Sequence, residues 1–267
     1  METIFAVLAA QFPPLEAARE DGLLCAGGDL RVERLLAAYS RGIFPWYEAG
    51  LPILWWAPDP RCVLPLENFH LPSRSARTLR QKPFELTFNA AFGKVIRACA
   101  QSRTPNGGTW LTPEMIGAYE RLHSMGFAHS VEAWREGELA GGLYGVGFAR
   151  VFFGESMFHF VSEASRAALA GLVSLLRMRG VTLLDCQQET PHIMKMGGVL
   201  LPREVFAQKL REALVPPAVL ASGDKLPSTD HVFCGDKVHD VPDEEVWQPW
   251  RESYGYSLSS GAWASRS

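Results

Sequence analysis

The residues best suited to chemistry cluster in one part of this chain. Residues 181–187 read VTLLDCQ and end on Asp185, Cys186 and Gln187, while the segment FFGESMF carries Glu155. Side chains two apart on a strand share a face, which groups Asp185 with Gln187 and turns Cys186 the other way. A carboxylate beside a carboxamide can hold an amine, accept its proton and orient the bonds around it. If the FFGESMF strand adjoins, Glu155 joins them, and so acidic a cluster attracts a cation. Leu143, Phe152, Met157, Leu169, Leu172, Leu176 and Leu184 flank the group and predict an apolar slot beside it. A D-C-Q tripeptide has little specificity alone, and the pattern by itself gives an α/β enzyme with an acidic, partly apolar site. GxSxG, HExxH, Walker and dinucleotide fingerprints are all missing. Cys186 as a nucleophile is the minor alternative.

These residues need strands and a helix to hold them. From residue 127 the period is two: AHSVEAW, LAGGLYGV and ARVFFGESMF read as three strands, the first two joined by a Glu136–Gly137 turn. Gly141, Gly142, Gly145 and Gly147 suggest space beside the sheet for a ligand. A helix follows with Leu169, Leu172, Val173 and Leu176 on one face, Ser162 as its expected cap and Gly180 as its end. VTLLDCQ is then a buried strand, and strand–helix–strand predicts a crossover. Upstream, GLLCAGGDL reads as a glycine-rich turn, with Asp29 capping a helix that runs to Tyr39. Residues 42–61 form a rigid segment rich in tryptophan and proline (Trp46, Trp55, Trp56; Pro45, Pro52, Pro58, Pro60). Most of these aromatics read as core; Trp46 is the candidate platform for a nucleobase. Asn89 and Thr112 are expected to cap two further helices, with Trp110 in the loop before the second.

Bulk composition narrows the class. The chain has 267 residues, 47% hydrophobic and 21% charged, with a net charge of −3, which suits one or two globular domains. Its five cysteines are widely spaced without a CxxC pair, and the histidines lack metal-ligand context, so reduced thiols, no metal and a cytoplasmic location are expected. No apolar run is long enough to span a membrane. Residues 61–103 carry Arg61, Arg74, Arg77, Arg80, Lys82, Lys94, Arg97 and Arg103 against only Glu67 and Glu85. A basic patch on an acidic chain suits a polyanion held at one place, or else a solvated face. The expected organisation is a small N-terminal domain (1–62), a catalytic domain (63–213) and an acidic, loosely packed tail (214–267).

In order along the chain, GLLCAGGDL, AYSRGIFPW, ILWWAPDPR, GTWLTPEM, AHSVEAW, GGLYGV, FFGESMF and LLDCQ resemble the leucyl/phenylalanyl-tRNA–protein transferase family over roughly residues 10–210. That resemblance implies transfer of Leu or Phe (Met less well) from aminoacyl-tRNA to an N-terminal Arg or Lys of a protein, marking it for degradation by the N-end rule. It implies an α/β (α+β) fold: a small N-terminal domain joined to a larger domain like the GCN5-related acetyltransferases, with a mixed sheet and crossover helix. It implies no metal or organic cofactor. Carried over residue by residue, Asp185, Gln187 and Glu155 match the catalytic group. Trp46 and Trp110 match the residues that hold the tRNA's terminal adenosine. The seven apolar residues match the aminoacyl side-chain pocket, and Arg74, Arg77, Arg80 and Lys82 fall where tRNA-facing charge belongs. Asp185 is then expected to polarise Gln187 and assist removal of the amine's proton, with Glu155 holding the cationic acceptor.

His159 and Glu163 depart from the family's pattern. Leu172 and Leu176 take places that can be aromatic, which implies a weaker preference for phenylalanine. Two competing readings are an acyl-CoA-dependent N-acetyltransferase, disfavoured because HFVSEAS carries no pyrophosphate loop, and a non-enzymatic tRNA-binding adaptor, which leaves the acidic group unexplained.

Overall fold

The computed structural model describes residues 12–102 and 111–214. Trp110, Arg103 and the expected tail after residue 214 lie outside them. The structure is mixed α/β. A three-stranded antiparallel sheet comes first, in the order β1 (Leu23–Ala26), β3 (Leu54–Trp56), β2 (Phe44–Pro45). GLLCAGGDL is thus partly a strand rather than a turn: Leu23 and Cys25 pair with Trp56 and Trp55. Between β1 and β2 runs helix α1 (Val32–Tyr39), whose face Val32, Leu35, Leu36, Tyr39 is buried. Its N-terminal boundary residue is Arg31; Asp29 instead accepts the Arg31 N–H at 3.1 Å.

The larger sheet has seven strands. In chain order they are β4 (Arg61–Val63), β5 (Glu85–Phe88), β6 (Ala128–Arg135), β7 (Glu138–Phe148), β8 (Val151–His159), β9 (Leu183–Gln187) and β10 (Val199–Leu201). Their spatial order is β10-β4-β9-β8-β7-β6-β5, antiparallel except for β8 beside β9. The parallel pair is joined by helix α5 (Ala164–Met178), the expected crossover. Because period two sends alternate side chains to opposite faces, the sheet sorts its apolar residues into two cores. Leu86, Val131, Leu143, Phe152 and Leu184 pack with the Leu169, Leu172, Val173, Leu176 face of α5. Tyr144, Val146, Phe153 and Leu183 pack on the other side against helices α3 (Phe92–Gln101) and α4 (Pro113–Ser124), and that core continues into α1 and the small sheet. Helices α2 (Ser73–Leu79), α6 (Pro191–Met194) and α7 (Arg203–Leu214) complete the described chain.

Gly141, Gly142 and Gly145 serve packing rather than a ligand. A Cβ on Gly145 would stand 2.2 Å from the Phe153 carbonyl oxygen and 2.4 Å from the Phe152 ring; one on Gly141 would stand 2.7 Å from the Ala164 Cβ. Register slips between Tyr144 and Gly145, so glycine admits a bulge where β8 and Phe152 crowd β7.

Besides Asp29, two more helix caps differ from expectation. Thr112 does cap α4, accepting the Met115 N–H at 3.2 Å. Asn89, however, has φ +57° and accepts the Ser130 N–H, while α3 is capped from a strand by Glu132. That buried carboxylate accepts from the Ala91 N–H at 3.2 Å and from the Ser130 and Thr87 hydroxyls at 2.6 Å each. Likewise Glu163, in a left-handed conformation, stands where Ser162 was expected to cap α5. Glu132→Ala strands these donors and is expected to cost about 3 kcal/mol, read as a lower urea midpoint.

Candidate active site

The ladder between β8 and β9 stops at Phe153↔Asp185. Beyond that pair the strands part, and the residues that follow, Gly154–Met157 and Cys186–Gln188, border open space instead of each other. Glu155 and Gln187 stand at this parting. Gln187 adopts φ +63°, a left-handed kink at the strand end, and its Nε2 donates to Glu155 Oε1 at 2.8 Å.

Glu155 is 8% exposed and is held by two phenols that reach it from helices. Tyr39 of α1 lies 2.7 Å from Oε1, Tyr119 of α4 lies 2.9 Å from Oε2, and the two hydroxyls are 2.6 Å apart. Three oxygen–oxygen contacts need three protons for every one to be a hydrogen bond, and two phenols supply two. A protonated Glu155 supplies the third. Burial pushes this carboxyl up to about 7, against the lowering effect of its three donors and with a further push from Asp185. Burial, and then the Glu155 charge, raise both phenols well above their ordinary value, so they remain donors. The group therefore gains or loses one proton near neutrality at Glu155.

Asp185 corrects one expectation. Its side chain is fully enclosed and borders neither cavity at the site. Arg61 reaches it from β4 as a two-pronged ion pair, Nε to Oδ1 at 2.9 Å and Nη2 to Oδ2 at 2.6 Å. Asp185 Oδ1 also accepts the backbone N–H of Gln187 at 2.9 Å. The cation that the acidic cluster was expected to attract is thus the chain's own Arg61. Asp185 contacts the backbone of Gln187, while the Gln187 carboxamide turns to Glu155.

Two cavities meet at Glu155, Cys186 and Thr190, which line both. The larger holds about 350 Å³. Leu143, Met157, Leu169, Leu172 and Leu184 line it, as expected; Phe152 and Leu176 do not, because they are buried in the core behind it. Ser156, Ser165, His159 and His192 add a polar end that the sequence reading did not include. The smaller, about 140 Å³, runs from Gln187 and Gln188 to Phe44, Pro45 and Trp46. Trp46 is 38% exposed, and its carbonyl accepts the Trp56 indole N–H at 2.6 Å, which fixes the segment. Cys186 borders both cavities although strand parity was expected to turn it away. Burial raises its thiol well above the ordinary value, which removes it as a nucleophile near neutrality. Arg74, Arg77, Arg80 and Lys82 are exposed on and just after α2.

Tyr39, Tyr119 and Arg61 were missed as site residues. Both tyrosines are buried on their helices, a buried phenol needs a partner, and that was the available signal. Among the described residues no cluster of three or more His, Cys, Asp or Glu side chains is arranged to hold a metal ion, and none of the helices is long and apolar enough to cross a membrane.

Comparison with known proteins identifies close relatives. The family model described as leucyl/phenylalanyl-tRNA protein transferase matches residues 63–211, and that of the N-terminal domain of the same family matches residues 28–59. A protein of Syntrophotalea carbinolica named leucyl/phenylalanyl-tRNA–protein transferase is 54% identical over 218 residues, covering 81% of this chain and 95% of its own length. Proteins of the same name from Desulfatibacillum aliphaticivorans and Azoarcus sp. are 54% and 50% identical, over 78% and 79% of this chain and 90% and 92% of their own lengths. Among solved structures, a GCN5-related glucosamine N-acetyltransferase region of a fungal β-N-acetylglucosaminidase overlaps with 12% identity and a TM-score of 0.37, covering 54% of this chain and 20% of that one. So loose an overlap supports no reasoning about the site.

Proposed function

Because the chain belongs to the leucyl/phenylalanyl-tRNA–protein transferase family, it is an aminoacyltransferase moving an amino acid from tRNA to protein N-termini, and we propose that it uses leucyl- and phenylalanyl-tRNA, methionyl-tRNA less well, on proteins beginning with Arg or Lys. The products are marked for degradation in the cytoplasm. The observation that carries the reading is the meeting of an apolar cavity and a tryptophan-bordered cavity at Glu155, whose carboxylate accepts from Gln187. An aminoacyl ester has the same two-part shape: a side chain on one side of the carbonyl and an adenosine on the other.

In this reading the donor side chain enters among Leu143, Met157, Leu169, Leu172 and Leu184, and the terminal adenine stacks on Trp46. Trp110, outside the described residues, and the cations Arg74, Arg77, Arg80 and Lys82 are proposed as further tRNA contacts. The Gln187 amide donates to Glu155, leaving its carbonyl oxygen to accept an N–H from the acceptor amine. That amine titrates at about 7.7–8.0 when free, so it needs only modest help to be neutral. Its nitrogen attacks the ester carbonyl, and the C–N bond forms as the bond to the ribose oxygen breaks. Ionised Glu155 takes the proton the amine releases and returns it to the departing ribose oxygen, with Tyr39 and Tyr119 as its hydrogen-bonding partners throughout. Positioning of the two reactants supplies much of the remaining acceleration.

The direct test is transfer of labelled Leu, Phe or Met from charged tRNA to peptides beginning with Arg, Lys or Ala. Product is expected with Leu and Phe on Arg and Lys peptides and not on Ala; transfer that ignores the first residue would refute the acceptor assignment. The cavity assignment makes a sharper forecast. Leu169→Phe fills part of the larger cavity and is expected to cut kcat/KM for Phe-tRNA by at least about tenfold, while Leu-tRNA loses about threefold or less. Equal losses for both donors would remove Leu169 from the side-chain pocket.

A further inference from the structure

We propose that Arg61 is a positioning residue for the transfer reaction, acting on Gln187 through Asp185 from behind the site; the kinetic part of this inference rests on the function proposed above. Arg61 is 1% exposed and touches neither cavity at the parted strands. Its guanidinium lies over two rings, with its central carbon 5.0 Å from the centroid of Phe44 and 4.7 Å from that of Phe206. Phe44 opens β2 and is followed by Pro45 and Trp46, so one of these rings belongs to the segment that borders the smaller cavity. Phe206 belongs to α7 and packs over Gly42, where a Cβ would meet its ring at 2.5 Å. Arg61 therefore ties together β4, the small sheet, the last described helix and β9.

The tie has a direction. Arg61 fixes both oxygens of Asp185, and Asp185 Oδ1 fixes the Gln187 backbone N–H. Gln187 is there in the left-handed region, which a residue with a Cβ seldom adopts without support. Only that turn of the strand end carries the Gln187 amide to Glu155. An ion pair this dry gains little net stability over a well-packed apolar pair, so stability alone does not account for it. A planar fork that matches a carboxylate and stacks on two rings is a property of arginine and not of lysine.

The test uses the intact chain with Arg61→Lys, Arg61→Met/Asp185→Leu and Phe206→Leu. Each is measured for kcat and KM with Phe-tRNA and an Arg peptide, for its urea midpoint, and for the Gln187 side-chain amide resonances. The double variant is expected to unfold near the wild-type midpoint yet lose about 100-fold or more in kcat, with both KM values within about threefold. Arg61→Lys is expected to lose at least about tenfold in kcat, and Phe206→Leu about threefold, which keeps the test alive if the double variant does not fold. The Gln187 amide signals should move toward free-amide positions in the double variant and in Arg61→Lys. Wild-type kcat in Arg61→Lys, or unmoved Gln187 signals, would overturn the proposal. A wild-type protein that transfers nothing refutes the functional reading instead, and the amide signals still decide whether Arg61 sets Gln187.

Discussion

Glu155→Gln is expected to lower kcat for transfer by about 10²–10³-fold, with KM for aminoacyl-tRNA changed by less than about threefold. The substitution keeps size and a hydrogen-bonding oxygen but removes the carboxylate proposed to take the amine's proton. Burial holds the Glu155 carboxyl at about 7, so below that pH it carries a proton and cannot take another from the amine. Wild-type kcat should therefore rise as pH increases through about 7, and the Gln variant should lack that limb. Stability gives an independent reading of the same shift. The folded-state value lies above the ordinary 4.5, so the folded protein binds the proton more tightly than the unfolded chain does. This contribution is fully present below about 4.5 and is lost as pH rises through about 7, for a total of about 3 kcal/mol. Urea unfolding from pH 4.5 to 7.5 should show that decline in the wild type, superimposed on other titrations, and a shallower slope in Glu155→Gln. Parallel slopes would mean that Glu155 is ionised throughout.

Asp185→Ala is the second large effect, and its cause is different. Removing the carboxylate leaves the Arg61 guanidinium fully enclosed, with the rings of Phe44 and Phe206 but no counter-charge. An orphaned buried charge of this kind costs about 3–5 kcal/mol, and the Gln187 N–H loses its acceptor as well. A drop of that size in unfolding free energy is expected, together with a fall in kcat of about 100-fold or more in the fraction that stays folded. Joint replacement of Arg61 and Asp185 by apolar residues should recover the stability and not the rate. Recovery of both would mean that the pair only supports the fold. Full activity in Asp185→Ala would exclude any part for Asp185 in the reaction.

The sheet was legible because its signal is local. Alternation in residues 128–159 fixes three strands, and the apolar stripe of α5 fixes the crossover that brings β9 beside β8. Given that juxtaposition, the meeting of Glu155 with Gln187 and five of the seven predicted lining residues follows from strand and helix periodicity. Phe152 and Leu176 went astray because periodicity tells which face is apolar but not where along it the protein opens. The opening is set by where the β8–β9 ladder ends, and that depends on the kink at Gln187. Arg61 was counted among surface-type charges because its partner lies 124 positions away. Tyr39 and Tyr119 are 80 positions apart and converge only once α1 and α4 pack together. Glutamate at 132 caps a helix from a neighbouring strand, which no local capping pattern reveals.

The most direct measurement is a crystal structure with a hydrolysis-resistant phenylalanyl-adenosine in which an amide replaces the ester. The phenyl ring should lie among Leu143, Leu169 and Leu172, the adenine against Trp46, and the amide carbonyl within hydrogen-bonding reach of the Glu155–Gln187 pair. A phenyl ring seated elsewhere, or a carbonyl beyond the reach of both side chains, would contradict the account.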